Sequence, residues 1–392
     1  MVNTETDTAA LAMCDRLLAA KPIVGAVEPG LTAAQLLPPR LSPARDVLEA
    51  FIEGLQLLPS SRGSAPTGAG SDELLLQLHA YFASELGAAS KLADQGLDAQ
   101  IIARSLPRWT SQTFDARFRG TDLRTPDGAT IRAFAAPGPR DRTIVIASAC
   151  GMLGQLTRPW LDEIGGEYQV LTWTSRGLFG TASPFDEAAA RIEDQATDIV
   201  ALLDHYDVPS AHIMGICGGT SMAVAAAAAA PGRVHSLSLW HGDYDLGDEA
   251  PRTEHQTNLI ELLSIARRSR DSATQLLEMI RSTPLDSIDT ALSPVLLYPY
   301  ANAELLYRYA WLNGSIMSTD LRPTLARVRQ RSLVVTSQDD HTAHPEGSRV
   351  AASKLADSTM HESGRGDHLS MFSAPPDRVA LARSFLDSLT WP

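Results

Sequence analysis

Three residues of this chain, Cys217, Asp340 and His368, are of the types that do nucleophilic chemistry together. A cysteine attacks as its thiolate. An imidazole can take the thiol proton and later hand it to a leaving group. A carboxylate on the far ring N–H fixes the tautomer and orientation of that imidazole. Each residue stands just after an expected strand: Cys217 after the apolar Ile213-Met214, Asp340 after Ser332–Ser337, and His368 after the short Thr359–Glu362. In chain order they read nucleophile, acid, base. Asp339 is the alternative acid, and Asp243 or Asp245 would occupy a less usual position for it.

The cysteine lies in Gly215-Ile216-Cys217-Gly218-Gly219, ahead of the alanine-rich run Ala223–Ala230 that stops at Pro231-Gly232. The form Gly-x-nucleophile-x-Gly, read as strand, sharp turn and helix, resembles the nucleophile elbow of the α/β-hydrolases, with cysteine in the serine place. Gly215 and Gly219 leave out side chains that would collide with the turn, and the small residues beyond let the helix lie close to the sheet. The N–H of Gly218, at the start of that helix, is placed to hold an oxyanion. The second donor of such a hole comes from the loop after an earlier strand. Here that is Cys150-Gly151-Met152, which points to Met152, with Gly151 as the neighbouring alternative. The blander reading, a glycine-rich turn around a structural cysteine, does not account for Asp340 and His368 at matching strand ends. Cys150 is a competing thiol that reads as a small residue filling its loop. His341 and His344 read as exposed loop histidines, and Asp367 as a surface residue or loop brace.

Elements able to position these groups follow in order. Residues 1–105 read as helical, with a first helix at Thr8–Ala20, a capping box at Thr32 and Gln35, and a helix opened by Ser42-Pro43. The stretch from about residue 59 to 71 reads as a flexible loop, followed by a long helix over Ser71–Gln95. Their apolar stripes suit packing on the catalytic domain or on a second copy in a homodimer. Residues 106–246 form the first part of an α/β core. They open on an antiparallel hairpin, Phe114–Arg119 and Thr130–Phe134, around the turn Pro126-Asp127-Gly128. Strands follow at Thr143–Ala149, Gln169–Thr174 and Val234–Trp240, and a helix over Pro184–Tyr206. The segment Ser175-Arg176-Gly177-Leu178-Phe179-Gly180-Thr181-Ala182-Ser183 resembles the R-G-x-G-x-S loop of α/β-hydrolases, where arginine ties loops together. Residues 247–325 break the strand–helix rhythm and read as a helical cap rich in aromatics (Tyr298, Tyr300, Tyr307, Tyr309, Trp311). Residues 326–392 resume the core, with helices over Pro345–Ala356 and Pro376–Leu389. The expected fold is therefore an α/β-hydrolase: a mostly parallel, doubly wound sheet with a helical cap and an α-helical N-terminal region.

Composition narrows the partners. Lys and Arg number 33 against 46 Asp and Glu, a formal charge of −13, which argues against nucleic acid and anionic membrane surfaces. Three cysteines in 392 residues make no disulfide framework, and no metal-binding spacing is present. The longest apolar run, Met222–Ala230, is far short of the ~20 residues a membrane span needs. The N-terminus lacks the features of a signal peptide, so the expected location is the cytoplasm. No cofactor or metal is expected.

The segments Gly215–Thr220, Asp339-Asp340-His341, and Asp367-His368-Leu369 with Pro375-Pro376 resemble the polyhydroxyalkanoate synthase family over roughly the last two-thirds of the chain. That family has a cysteine elbow, an acidic-Asp-His motif, a base followed by Pro-Pro, a helical N-terminal region and a cap. The resemblance implies acyl transfer from a thioester through Cys217, with Asp340 and His368 in the family roles. Thiol–thioester exchange is nearly isoenergetic, so an acyl-cysteine stays activated enough to acylate an alcohol or amine as well as water. The resulting expectation is an acyltransferase. It would draw on an acyl-carrier protein or acyl-CoA, pass the group to a hydroxyl or amine acceptor (cyclisation included), and suit secondary-metabolite assembly. A thioesterase using the same acyl-enzyme is the first alternative, and a non-catalytic hydrolase-like binding protein the second.

Overall fold

The computed structural model describes residues 3–27, 31–37, 42–58, 72–179, 185–283, 288–366 and 368–391. The expected loop at 59–71, the Gly180–Ser183 part of the arginine loop, and Asp367 lie outside the described residues. The chain divides into two compact units. One comprises residues 1–117 and 273–306, and the other residues 118–272 and 307–392. Helices Arg270–Arg281 and Ala303–Ser318 carry the chain from one unit to the other. The segment expected as a cap, 247–325, is thus shared between the two units.

The first unit is helical. Its helices include Thr4–Val27, Pro43–Gly54, Glu73–Asp94 and Ala99–Thr110. Their starts follow from local capping. Ser42 caps with Pro43 at the first helical position, Asp72 accepts from the Leu75 N–H, and Thr32 and Gln35 form the expected capping box. Phe51 stacks on Trp109 at 5.7 Å, and Glu85 takes a bidentate pair from Arg16 at 2.7 and 2.9 Å.

The second unit is built on an eight-stranded sheet: β1 (Thr121–Arg124), β2 (Thr130–Ala136), β3 (Thr143–Ala147), β4 (Gln169–Thr174), β5 (Ala211–Ile216), β6 (Val234–Trp240), β7 (Arg331–Ser337) and β8 (Ser358–Ser363). Their order is β1-β2-β4-β3-β5-β6-β7-β8. The β1–β2 and β2–β4 pairs are antiparallel, and every other pair is parallel. β3, β4 and β5 are buried at every position, the pattern of parallel strands covered on both faces. This is the expected α/β-hydrolase architecture.

One expected strand is a helix. Phe114–Arg117 forms a short helix, and the hairpin's first strand is instead the polar, exposed Thr121–Arg124. Phe114 and Phe118 stand four apart, which satisfies a helical turn as well as strand alternation, and both are buried. The helix expected over Pro184–Tyr206 is broken at Arg191, whose backbone is extended; a 3-10 turn (Glu187–Ala190) precedes Ile192–His205.

Candidate active site

β5 delivers Cys217 through a left-handed residue. Its φ is +56°, a region costly for a side chain with a Cβ, and it persists because the turn around it is over-determined. The Cys217 N–H donates to the Trp240 carbonyl at 3.0 Å, and its own carbonyl accepts from the Thr220 N–H at 3.0 Å and the Thr220 hydroxyl at 2.6 Å. The flanking glycines are sterically required. A Cβ on Gly215 would lie 2.6 Å from the Thr220 Cα, and one on Gly219 would lie 1.9 Å from the Ala147 carbonyl oxygen of β3. Helix Gly219–Ala229 is buried from Gly219 to Ala227, so its alanines are what bring it down onto the sheet.

Of the three thiols, Cys217 alone is half-buried; Cys14 and Cys150 are buried. Burial pushes the Cys150 thiol up to about 12, and Cys14 likewise, which leaves both inert at neutral pH.

Asp340 follows β7 and is buried, whereas Asp339 is exposed. The Asp340 carboxylate accepts four hydrogen bonds. Oδ1 takes the N–H groups of Thr342 and Ala343, both at 2.9 Å. Oδ2 takes Nδ1–H of His368 at 3.0 Å and Nδ1–H of His241 at 2.8 Å. Burial works against its charge, but the donors from His241 and His368 prevail and hold the carboxyl well below the usual range. His368 stands at the start of the 3-10 turn Leu369–Ser373. The fully buried Trp160 indole, packed 5.6 Å from Trp240, donates to the Met371 carbonyl of that turn at 2.7 Å and so anchors the loop carrying His368.

Burial opposes a charge on His368 too, yet Cys217 and Asp340 together raise its pKa well above the ordinary imidazole value. With Nδ1 committed to Asp340, the nitrogen left for the thiol is Nε2. The structure thus brings Cys217, Asp340 and His368 into one cluster.

The Met152 and Gly218 amides differ from that of Gly151. The Gly151 N–H donates to the Ser175 hydroxyl at 2.9 Å, while among the described residues the Met152 and Gly218 amides have no backbone acceptor. β3 and β5 are adjacent, with Ala147 opposite Gly215, so the loop carrying Met152 leaves the sheet beside the elbow. Asn313 and Ile316, on the helix Ala303–Ser318, lie over Gly218, 3.8 and 3.5 Å from where its Cβ would stand.

Other candidates are structural in this arrangement. Arg176 is buried, bonded to both oxygens of Asp198 and to Asp127 at 2.5 Å, and ties three segments together. Asp245 accepts from Gly247 N–H and Arg252. His344 caps the helix Pro345–Lys354 through Nδ1, and His341 is exposed. Asp243 is held by the Gln256 amide at 2.6 Å and is close enough to His368 to interact electrostatically; burial raises its pKa.

His241 is the residue that sequence reading missed. It stands at φ +48°, directly after β6, and shares the Asp340 carboxylate with His368. The available signal was positional: like Cys217, it is the first residue past a central parallel strand, at the sheet edge where such folds place ligands. The ligating atoms of His241, Asp340 and His368 fall within 4.8 Å of one another, close enough to surround a small cation. Here that space is bridged by the two N–H···O bonds.

Residues 157–375, more than half of the chain, match the model of the alpha/beta hydrolase fold family, and the chain belongs to that family. Among individual proteins, it is 25% identical over 247 residues to 3-oxoadipate enol-lactonase 2 of Acinetobacter baylyi, covering 62% of this chain and 88% of that one. Its fold is similar to that of the enol-lactonase from Burkholderia xenovorans LB400 (TM-score 0.53, 19% identity, 68% of this chain and 100% of that one). It is also similar to an esterase from Exiguobacterium antarcticum (TM-score 0.55, 14% identity, 69% and 100%).

Proposed function

We propose that the protein is an acyl-transfer enzyme that works through an acyl-cysteine on Cys217. The Cys217 thiolate attacks the carbonyl of an acyl thioester, and the N–H groups of Gly218 and Met152 receive the oxyanion. Collapse of the tetrahedral intermediate expels the donor thiolate, which takes a proton from the His368 imidazolium. His368 then removes the proton of an acceptor hydroxyl or amine as that group attacks the acyl-cysteine, and Cys217 leaves as thiolate. Asp340 keeps His368 oriented throughout.

The observation that carries this reading is the mutual arrangement of Cys217, His368 and Asp340 on a half-buried thiol. The choice of sulfur supports a thioester donor, acyl-carrier protein or acyl-CoA, and an acceptor other than water. The resemblance of the three motifs to those of polyhydroxyalkanoate synthases supports the same reading.

A second reading, hydrolysis of the same acyl-enzyme, is favoured by the named activities of the similar proteins, which are two enol-lactonases and an esterase. A panel of acyl-CoA and acyl-carrier thioesters, turned over with and without alcohols and amines, separates them by product. Transfer predicts ester or amide that accumulates at the expense of free acid. Free acid alone with every acceptor assigns the enzyme to hydrolysis.

A further inference from the structure

The Asp340 carboxylate is shared by two histidines, and the acyl-cysteine chemistry proposed above uses only one of them. His241 Nδ1 lies 2.8 Å from Oδ2, closer than His368 Nδ1 at 3.0 Å to the same atom. An ionised carboxylate only accepts, so both Nδ1 atoms carry hydrogen. Oδ1 is saturated by Thr342 and Ala343, so the two imidazoles fill the lone pairs that remain. The His241 ring stands at 88° to that of His368, with centroids 5.9 Å apart. Its own Nε2 is buried and has no partner among the described residues, an arrangement that stability alone would not select.

We propose that His241 is a positioning residue. By occupying one lone pair of Asp340 Oδ2, it leaves a single direction for His368 and limits how strongly the carboxylate supports the imidazolium. This rests on Cys217 and His368 forming the reactive pair. Two consequences follow. The His368 ring is held by Nδ1 on Asp340, which leaves Nε2 as the nitrogen to serve the thiol. A carboxylate whose charge is divided among four donors also holds the proton on His368 less tightly, so that proton is easier to pass to a leaving group. The other titratable groups around His368 are Cys217, Asp243 and His255, and none of them contacts Oδ2 in this structure.

The test is the pH profile of Cys217 alkylation by iodoacetate, followed by mapping the Cys217 peptide. The anionic reagent reacts best when thiolate and imidazolium coexist, so the rate is bell-shaped and its alkaline limb reports loss of the His368 proton. His241→Ala is expected to move that limb up by roughly half to one pH unit and to lower the maximal rate of acyl transfer about 10-fold. His241→Asn tolerates the left-handed backbone and keeps an N–H near the Nδ1 position, so it should restore the wild-type profile. His241→Gln places its N–H further out and should behave like alanine. Should His241→Ala not fold, the Asn and Gln pair carries the comparison alone. Superimposable profiles for wild type and Gln, or equal shifts for Asn and Gln, overturn the role of His241. A wild-type profile without a bell, unchanged by His368→Ala, instead removes the Cys217–His368 pair on which the role depends.

Discussion

His368 meets Asp340 through a 3.0 Å Nδ1–H···Oδ2 bond between residues 28 positions apart, and neither residue is more than 4% exposed. That bond joins the ends of two adjacent parallel strands, β7 and β8, to the thiol that leaves β5. Cys217 and Asp340 together raise His368 against its burial, and His241 and His368 together depress Asp340 against its own.

Those shifts have opposite signs in a stability profile. Asp340 is held below its unfolded value, so its contribution is present above about pH 4 and is lost as pH falls through the folded value. His368 is held above its unfolded value, so its contribution is complete below about pH 6.5 and is lost as pH rises through the folded value. Thermal midpoints measured across the pH range should therefore fall on both sides of a plateau. His368→Ala should flatten the alkaline decline. An alkaline limb unaltered in that variant would place the titration elsewhere.

Asp340→Asn replaces an acceptor of four N–H groups by an amide that accepts on one atom only. Turnover should drop on the order of 10²–10⁴-fold, because the His368 ring loses its fixed tautomer. Urea unfolding should show a loss of about 1–3 kcal/mol from the donors left unpaired. Asp339→Asn, on an exposed side chain, should leave both quantities unchanged.

The two glycines after Cys217 should respond in opposite ways. Alanine at Gly219 drives a Cβ into the backbone of β3, at 1.9 Å from the Ala147 oxygen, and should cost at least about 3 kcal/mol in denaturant unfolding. Alanine at Gly218 meets only Ile316 and Asn313 at ordinary contact distances, and should remain within about 1 kcal/mol of wild type. Equal losses at the two positions would contradict the close approach of the helix Gly219–Ala229 to β3.

Arg176→Met strips the buried Asp198 of its partner and should destabilise by about 3–5 kcal/mol. Adding Asp198→Asn should recover part of that loss. A double-mutant cycle by urea unfolding measures the coupling, and additive losses would show that the pair is not a unit.

Much of this was legible in the residues. Val234–Trp240 is the strand β6 residue for residue, because Leu237 and Leu239 alternate with Ser236 and Ser238 and the run opens on Val234 and closes on Trp240, residue types that favour strands. The elbow was legible because Gly215 and Gly219 are demanded by backbone contacts that no other residue satisfies. The edge strand Thr121–Arg124 was not, since three of its four residues are polar and exposed and its backbone pairs with β2 on one side only. His241 was invisible for another reason: its partner lies 99 positions away, and only the adjacency of β6 and β7 brings the two together.

The claim on which the rest depends is that Cys217 carries the acyl group. Intact-mass analysis of protein quenched after brief exposure to an acyl thioester, followed by peptide mapping, tests it most directly. The account predicts one added acyl mass per chain on the Cys217 peptide, and none on Cys217→Ala. The same adduct on Cys217→Ala, or turnover undiminished in that variant, would contradict it.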